Sequence, residues 1–196
     1  MAQQRKVQGR DEIAAAALAL IDEEGLGALT MRKVGASLGV EAMTLYGYVK
    51  NRDDLLSAVH ALLMSKVQPP SQSGVWVTDA LCFARRFREA LMAHPNAVPV
   101  VATRAATQGP ALDLLEAALQ AIPGDAADVN RAAFIVQTLF VFVVGHCSFH
   151  AALAASEVPV ALDAERHPRL VTLRPWTAEA EFERGLEILA AGLRAK

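Results

Sequence analysis

Residues 30–49 constrain this chain more than any other stretch: they read as two short helices joined by a tight turn. Val34 and Leu38 lie four apart on the first helix, a spacing that stacks side chains on one face. Met43, Leu45 and Val49 supply apolar contacts on the second. Gly39 falls between them, where a left-handed backbone costs glycine least. Thr30 is placed to accept a backbone hydrogen bond as the N-cap of the first helix. The second helix sets Glu41, Thr44, Tyr46 and Tyr48 among its apolar anchors. Short polar and aromatic groups on a protruding helix suit phosphates and base edges in a DNA major groove. The pattern is a helix-turn-helix.

The rest of the chain is helical in the same sense. At 196 residues it is 53% hydrophobic but only 6% aromatic, rich in Ala, Leu and Val, so helix propensity is high and strand signals are scarce. A first helix is expected over residues 11–24, with Ile13, Ala17, Leu20 and Ile21 facing the core and Gly25 just past its end. A fourth starts at Asn51 or Asp53 and runs to about Val67, long enough to touch both the N-terminal bundle and the second half of the chain. Residues 68–74, with Pro69, Pro70 and Gly74, form the clearest linker. The expected organisation is a helix-turn-helix domain over 1–51, a connecting helix over 52–67, the linker, and a second helical domain over 75–196. In that second domain, helices are expected over 76–93, 110–122, 125–155 and 177–195. A short helix or loop falls near 98–107, and a long irregular connection covers 156–176. The middle of the 125–155 helix is apolar on every side, and such a helix must be buried all round. A domain of this size covers one only with a second subunit.

Charge does not advertise a nucleic-acid binder. The formal net charge is −2, and residues 1–60 hold seven basic and eight acidic groups. Phosphate contacts must therefore come from local placement of Arg and Lys. Arg5, Lys6 and Arg10 cluster in what reads as a mobile arm, while Arg32, Lys33, Lys50 and Arg52 flank the protruding helix. Cys82 and Cys147 both sit in apolar helical patterns and are expected to be buried, reduced thiols. The N-terminus lacks an apolar signal core, and the most apolar run, 132–144, is shorter than a bilayer span. A cytoplasmic protein is expected.

Residues 29–34 (Leu-Thr-Met-Arg-Lys-Val) and 38–56 (from Leu-Gly-Val-Glu through Thr-Leu-Tyr and Val-Lys-Asn to Asp-Asp-Leu-Leu) resemble the DNA-binding domain of the tetracycline-repressor (TetR) family, and a weaker likeness continues to the C-terminus. The resemblance implies an all-α protein: an N-terminal three-helix helix-turn-helix bundle joined by a long helix to a C-terminal ligand-binding and dimerisation domain. The last helix would pair with the long one across a two-fold axis. It implies a homodimer bound to a palindromic double-stranded operator and released by a small-molecule effector. The implied DNA-facing residues are Arg32, Ala42, Met43, Thr44, Tyr46, Tyr48, Lys50 and Arg52. Ala42, Met43 and Gly47 stand where the tetracycline-repressor pattern has glutamine, proline and tryptophan. An alanine cannot read adenine by paired hydrogen bonds as an amide does, so the operator sequence differs. Gly47 also loosens the helix by up to about 1 kcal/mol relative to alanine.

The resemblance further implies an effector pocket near Phe83, Phe87, Thr103, Arg104, Ala118, Phe134, Gln137 and Val141. The pattern that holds tetracycline–magnesium is broken: Val100, Phe83, Ala118 and Ala154 stand near its histidine, asparagine, glutamine and glutamate. A more apolar effector is expected. His146 and His150 share a helix face, but no third ligand is evident beside them, and neither a metal nor a cofactor is expected. The pair Gly145-His146 matches one in the family's long helix and is read as a close helix approach. No phosphate-cradling loop, Cys-x-x-Cys pair or Gly-x-Ser-x-Gly elbow is present, so no catalytic group is assigned. A helical adaptor or an all-helical enzyme without DNA binding is the alternative reading.

Overall fold

The computed structural model describes residues 7–106, 109–124, 129–154, 163–173 and 177–194, and every regular element among them is helical. Helix α1 (Arg10–Glu24) buries Ile13, Ala17, Leu20 and Ile21, the expected stripe, and adds Ala14 and Leu18. Helix α2 (Met31–Leu38) begins at Thr30, whose Oγ1 accepts from Lys33 N at 3.2 Å, and ends at Gly39 in the left-handed region, φ +69°. Helix α3 (Ala42–Leu45) is a single turn. Gly35 is what lets it sit so close: a Cβ there would lie 2.9 Å from the Val40 carbonyl oxygen. Val34, Leu38, Leu45 and Val49 are buried, whereas Met43 is 74% exposed and anchors nothing. Tyr46, Gly47 and Tyr48 lie in tight turns beyond α3, so Gly47 carries no helix-interior cost.

Helix α4 (Arg52–Ser65) is capped by Asn51, whose side chain accepts from Asp54 N at 2.8 Å. It packs on α1 at one side and on α6 (Val98–Ala102) and α7 (Pro110–Gln120) at the other, so it belongs to both halves of the molecule. Residues 68–74 follow without helix; Ser73 donates twice to the buried Asp79 of α5 (Trp76–Met92), through N at 2.8 Å and Oγ at 2.9 Å. A second tie joins the halves beyond α5. His94 Nδ1 lies 2.7 Å from Asp22 Oδ2, and Asn96 Nδ2 donates to Asp22 O at 2.9 Å.

Helix α8 (Val129–Ala154) is longer than the apolar run it contains. By length and composition it is apolar enough to cross a membrane, so the expectation from the shorter run 132–144 does not hold for the whole helix. In the fold it is the central helix of a bundle, packed by α5, α6, α7 and α9 (Ala178–Arg194). Ile135, Leu139, Val143 and Cys147 are buried, but Phe134, Val141, Phe149 and Leu153 are more than half exposed or nearly so, at 75, 57, 55 and 50%. With Thr138 and Gly145 they form one stripe at three- and four-residue spacing, open to solvent in the single chain. Between α8 and α9, residues 163–173 hold turns and a short 3-10 segment; the remainder of the expected 156–176 connection lies outside the described residues.

Cys147 is buried, and burial pushes its thiol up to about 11. Cys82 lies on the outer side of α5 and is exposed, contrary to the expectation that both thiols are inside.

Candidate DNA-binding surface and effector cavity

The helix-turn-helix presents Arg32, Met43, Thr44, Tyr46 and Lys50 as exposed side chains, with Ala42 half-buried between them. Two other expected DNA-facing groups have work inside the protein. Arg52 donates from Nε to Leu29 O and from NH2 to Leu26 O, both at 3.1 Å, and so clasps the turn that leads into α2. Tyr48 OH donates to Val7 O at 2.9 Å and holds the chain segment before α1. Both side chains stay near the surface, but their polar atoms are engaged. Lys33 pairs with Glu24 at the acidic end of α1 and so is engaged within the protein. Arg5 and Lys6 lie outside the described residues.

Arg10 is not part of an arm but the first residue of α1. Its guanidinium reaches Asp54 Oδ1 at 2.5 Å and Oδ2 at 3.0 Å, and donates also to Asp54 O and Tyr48 O. Lys50 N donates to the same carboxylate at 2.8 Å. The Arg10 hydrogen bond first, and the Lys50 backbone bond next, hold the Asp54 carboxyl down to about 2 from an ordinary 3.8. Because the folded value is depressed, this contribution to stability is complete above the unfolded value and is lost as pH falls towards the folded one. Wild type is therefore expected to outlast Asp54→Asn in urea at about pH 5, and the two midpoints converge as pH falls to about 2. A gap in midpoint that persists unchanged at the acid end would show that the charge on Asp54 contributes nothing.

The second half encloses a cavity of about 560 Å³ between α4, α5, α7 and α8, within the range of small-molecule sites. Phe83, Phe87, Thr103, Arg104, Ala118 and Gln137 line it as expected. Phe134 and Val141 do not: they lie on the solvent-facing stripe of α8, while Val136, Leu139, Phe140 and Val143 turn towards the cavity instead. Sequence reading missed those four, and His60 and Met64 of α4 as well. The rings of Phe83, Phe87 and Phe140 stack in series, with centroids 6.2 Å and 5.6 Å apart and interplanar angles of 6° and 23°. Desolvation first, and the Arg104 charge next, push the buried His60 imidazole below its ordinary range, which favours its uncharged form in the cavity wall.

Arg104 is the polar centre of this site. It lines the cavity, and its guanidinium also donates to Ser57 Oγ at 3.1 Å and pairs with Asp53, both on the first turns of α4. Its Nε is buried and has no acceptor among the described residues. One side chain thus joins the cavity wall to the helix that carries the DNA-binding bundle.

Comparison with known proteins decides the family. Residues 13–59 match the model described as bacterial regulatory proteins, tetR family, and residues 68–196 match the tetracyclin repressor-like C-terminal domain. The chain belongs to the tetR family of bacterial regulators. A transcriptional regulator of Saccharopolyspora erythraea is 31% identical across 95% of this chain and 84% of its own length. The class E tetracycline repressor of Escherichia coli is 30% identical across 69% of this chain and 65% of its own. Among solved structures, a possible TetR-family regulator from Streptomyces coelicolor superposes with a TM-score of 0.82 at 27% identity, covering 94% of this chain and 98% of that one. ActR of the same organism, in complex with actinorhodin, superposes at 0.80 and 26% identity, covering 95% and 97%. This tetR-family chain is accordingly a ligand-responsive, DNA-binding transcriptional repressor and not an enzyme.

Proposed function

We propose that this tetR-family repressor works as a homodimer in the cytoplasm, each protomer setting residues 41–48 into a major groove of a near-palindromic operator. Two such helices must stand about one helical turn of DNA apart or a multiple of it. The solvent-facing stripe of α8, with Ile188 of α9 at 64% exposure, is the apolar surface a second copy covers. Base and phosphate contacts fall to Arg32, Thr44, Tyr46 and Lys50, with Ala42 and Met43 against the groove floor; Arg52 and Tyr48 act mainly by holding the motif's shape.

The effector is a flat, largely apolar aromatic molecule carrying a hydrogen-bond acceptor. The stacked phenylalanines supply faces for the rings, and Arg104 Nε supplies the donor. Support comes from the related ActR structure, which holds actinorhodin. The observation that carries this reading is the double attachment of Arg104. An acceptor that draws the guanidinium into the cavity takes it from Asp53 and Ser57, and α4 then carries the bundle away from operator spacing. An effector shifts the balance only by its preference for the released state, commonly about 1–3 kcal/mol.

Gel shifts with DNA from upstream of the protein's own gene, repeated across salt concentrations, test the DNA half. Affinity is expected to fall steeply with salt as phosphate contacts release counterions. Arg32→Ala should cost about 1–3 kcal/mol and relax the preference at one base pair. A salt-independent interaction, or an Arg32→Ala protein that binds as wild type does, contradicts the assignment.

A further inference from the structure

Outside the cavity, α8 and α9 bring three metal-ligating side chains together. His146 and His150 are one helical turn apart on α8, and Glu181 comes from the first turn of α9; their ligating atoms all lie within 4.8 Å of one another. His150 Nε2 is 3.2 Å from Glu181 Oε2, and the two imidazole centroids are 4.4 Å apart. None of the three lines the effector cavity. We propose that His146, His150 and Glu181 form a zinc site that fastens the start of α9 to α8.

Two imidazoles and one carboxylate are the donors of a three-ligand zinc centre with a fourth position left for water. Zn–N bonds of about 2.0–2.1 Å set tetrahedral ligand atoms about 3.4 Å apart. The His150–Glu181 pair already meets that spacing, and rotation of side chains closes the rest. Aromatic walls hold the imidazoles in place: Phe182 lies 5.0 Å from the His146 ring, and Phe149 meets His150 edge-on at 5.4 Å. His146 is buried, whereas Glu181 keeps 40% of its side chain exposed, which gives an ion a path in.

Arg88 of α5 is the group that opposes a cation. Its Nε donates to His146 Nε2 at 3.3 Å, its NH1 pairs with Glu179 at 2.5 Å, and its guanidinium lies 4.9 Å from the Phe182 ring centre. Glu179 holds that guanidinium on the side away from His150 and Glu181. The bound ion takes the His146 lone pair, and Arg88 remains on Glu179. In binding, the imidazole lone pairs and a carboxylate oxygen become ligand bonds, with no change of oxidation state.

The test titrates zinc into the tag-free full-length protein by calorimetry, with Co²⁺ absorption as a reporter of tetrahedral geometry. Wild type is expected to take one zinc per chain and to gain in thermal midpoint as zinc is added. His150→Ala and Glu181→Gln should each weaken zinc by more than about tenfold, with circular dichroism unchanged; glutamine keeps the shape of the side chain it replaces. Absence of zinc uptake by wild type, or wild-type affinity in either folded variant, overturns the site. Operator and effector binding are not needed for this measurement, so its failure is separate from that of the repressor reading.

Discussion

Truncating Leu45 to alanine is expected to remove operator binding. Leu45 is the fully buried side chain of the single-turn α3 and sets it, with partly buried Ala42 beside it, on the core shared with α1, α2 and α4. A helix of one turn has no stability of its own, because nucleation costs more than its few hydrogen bonds return. Loss of a buried leucine costs about 2–5 kcal/mol, the spread reflecting how far the site collapses. That is a large part of the about 5–15 kcal/mol that typically holds a domain folded. Gel shift and hydrogen exchange together read the result: operator affinity lost, rapid exchange at the amides of residues 41–49, and α5 and α8 still protected. Wild-type operator affinity in the variant would falsify the claim that burial of Leu45 positions the DNA-reading surface.

The second large effect separates sensing from transmission. Arg104→Ala removes both the cavity's buried donor and the tie to α4; Asp53→Ala breaks the ion pair of that tie and leaves the cavity wall intact, because Asp53 does not line the cavity. Arg104 also holds the Asp53 carboxyl below the usual range, chiefly through their hydrogen bond, so the pair is charged at neutral pH. With a flat aromatic effector in hand, Arg104→Ala is expected to lose effector affinity. Asp53→Ala keeps that affinity but loses the ratio of operator affinities with and without effector, an effect of about 5- to 150-fold where such coupling is intact. Calorimetry for the effector and gel shift for the operator measure the two separately. If Asp53→Ala responds to effector as wild type does, coupling runs through another contact, such as the tie of Asp22 to His94 and Asn96.

Several features were legible because they are local. Thr30 as cap, Gly39 as left-handed terminus and the Val34–Leu38 spacing each act within one or two turns of chain, and each stands where sequence reading put it. The start of α4, read as Asn51 or Asp53, falls at the Asn51 cap, and α5 ends just before His94-Pro95 as expected. Met43 went astray because an apolar residue beside a turn carries no label saying which way it faces. Arg52 and Tyr48 resemble DNA contacts in sequence, yet their acceptors, Leu26, Leu29 and Val7, lie more than twenty residues away. The phase of α8 was equally unreadable. With apolar residues on every side it has no polar face to mark the outside, so Phe134 and Val141 could not be told from Val136 and Phe140.

By itself, then, the chain's order of residues determined the helices, their caps and the helix-turn-helix, since hydrogen bonds and four-residue spacing act between near neighbours. Only tertiary packing decided which side of α8 meets the cavity, that Arg104 spans from that cavity to Asp53, and that Glu181 arrives beside His146 and His150. Each of those is a meeting of residues distant along the chain, and no local period records where a folded chain will bring them together.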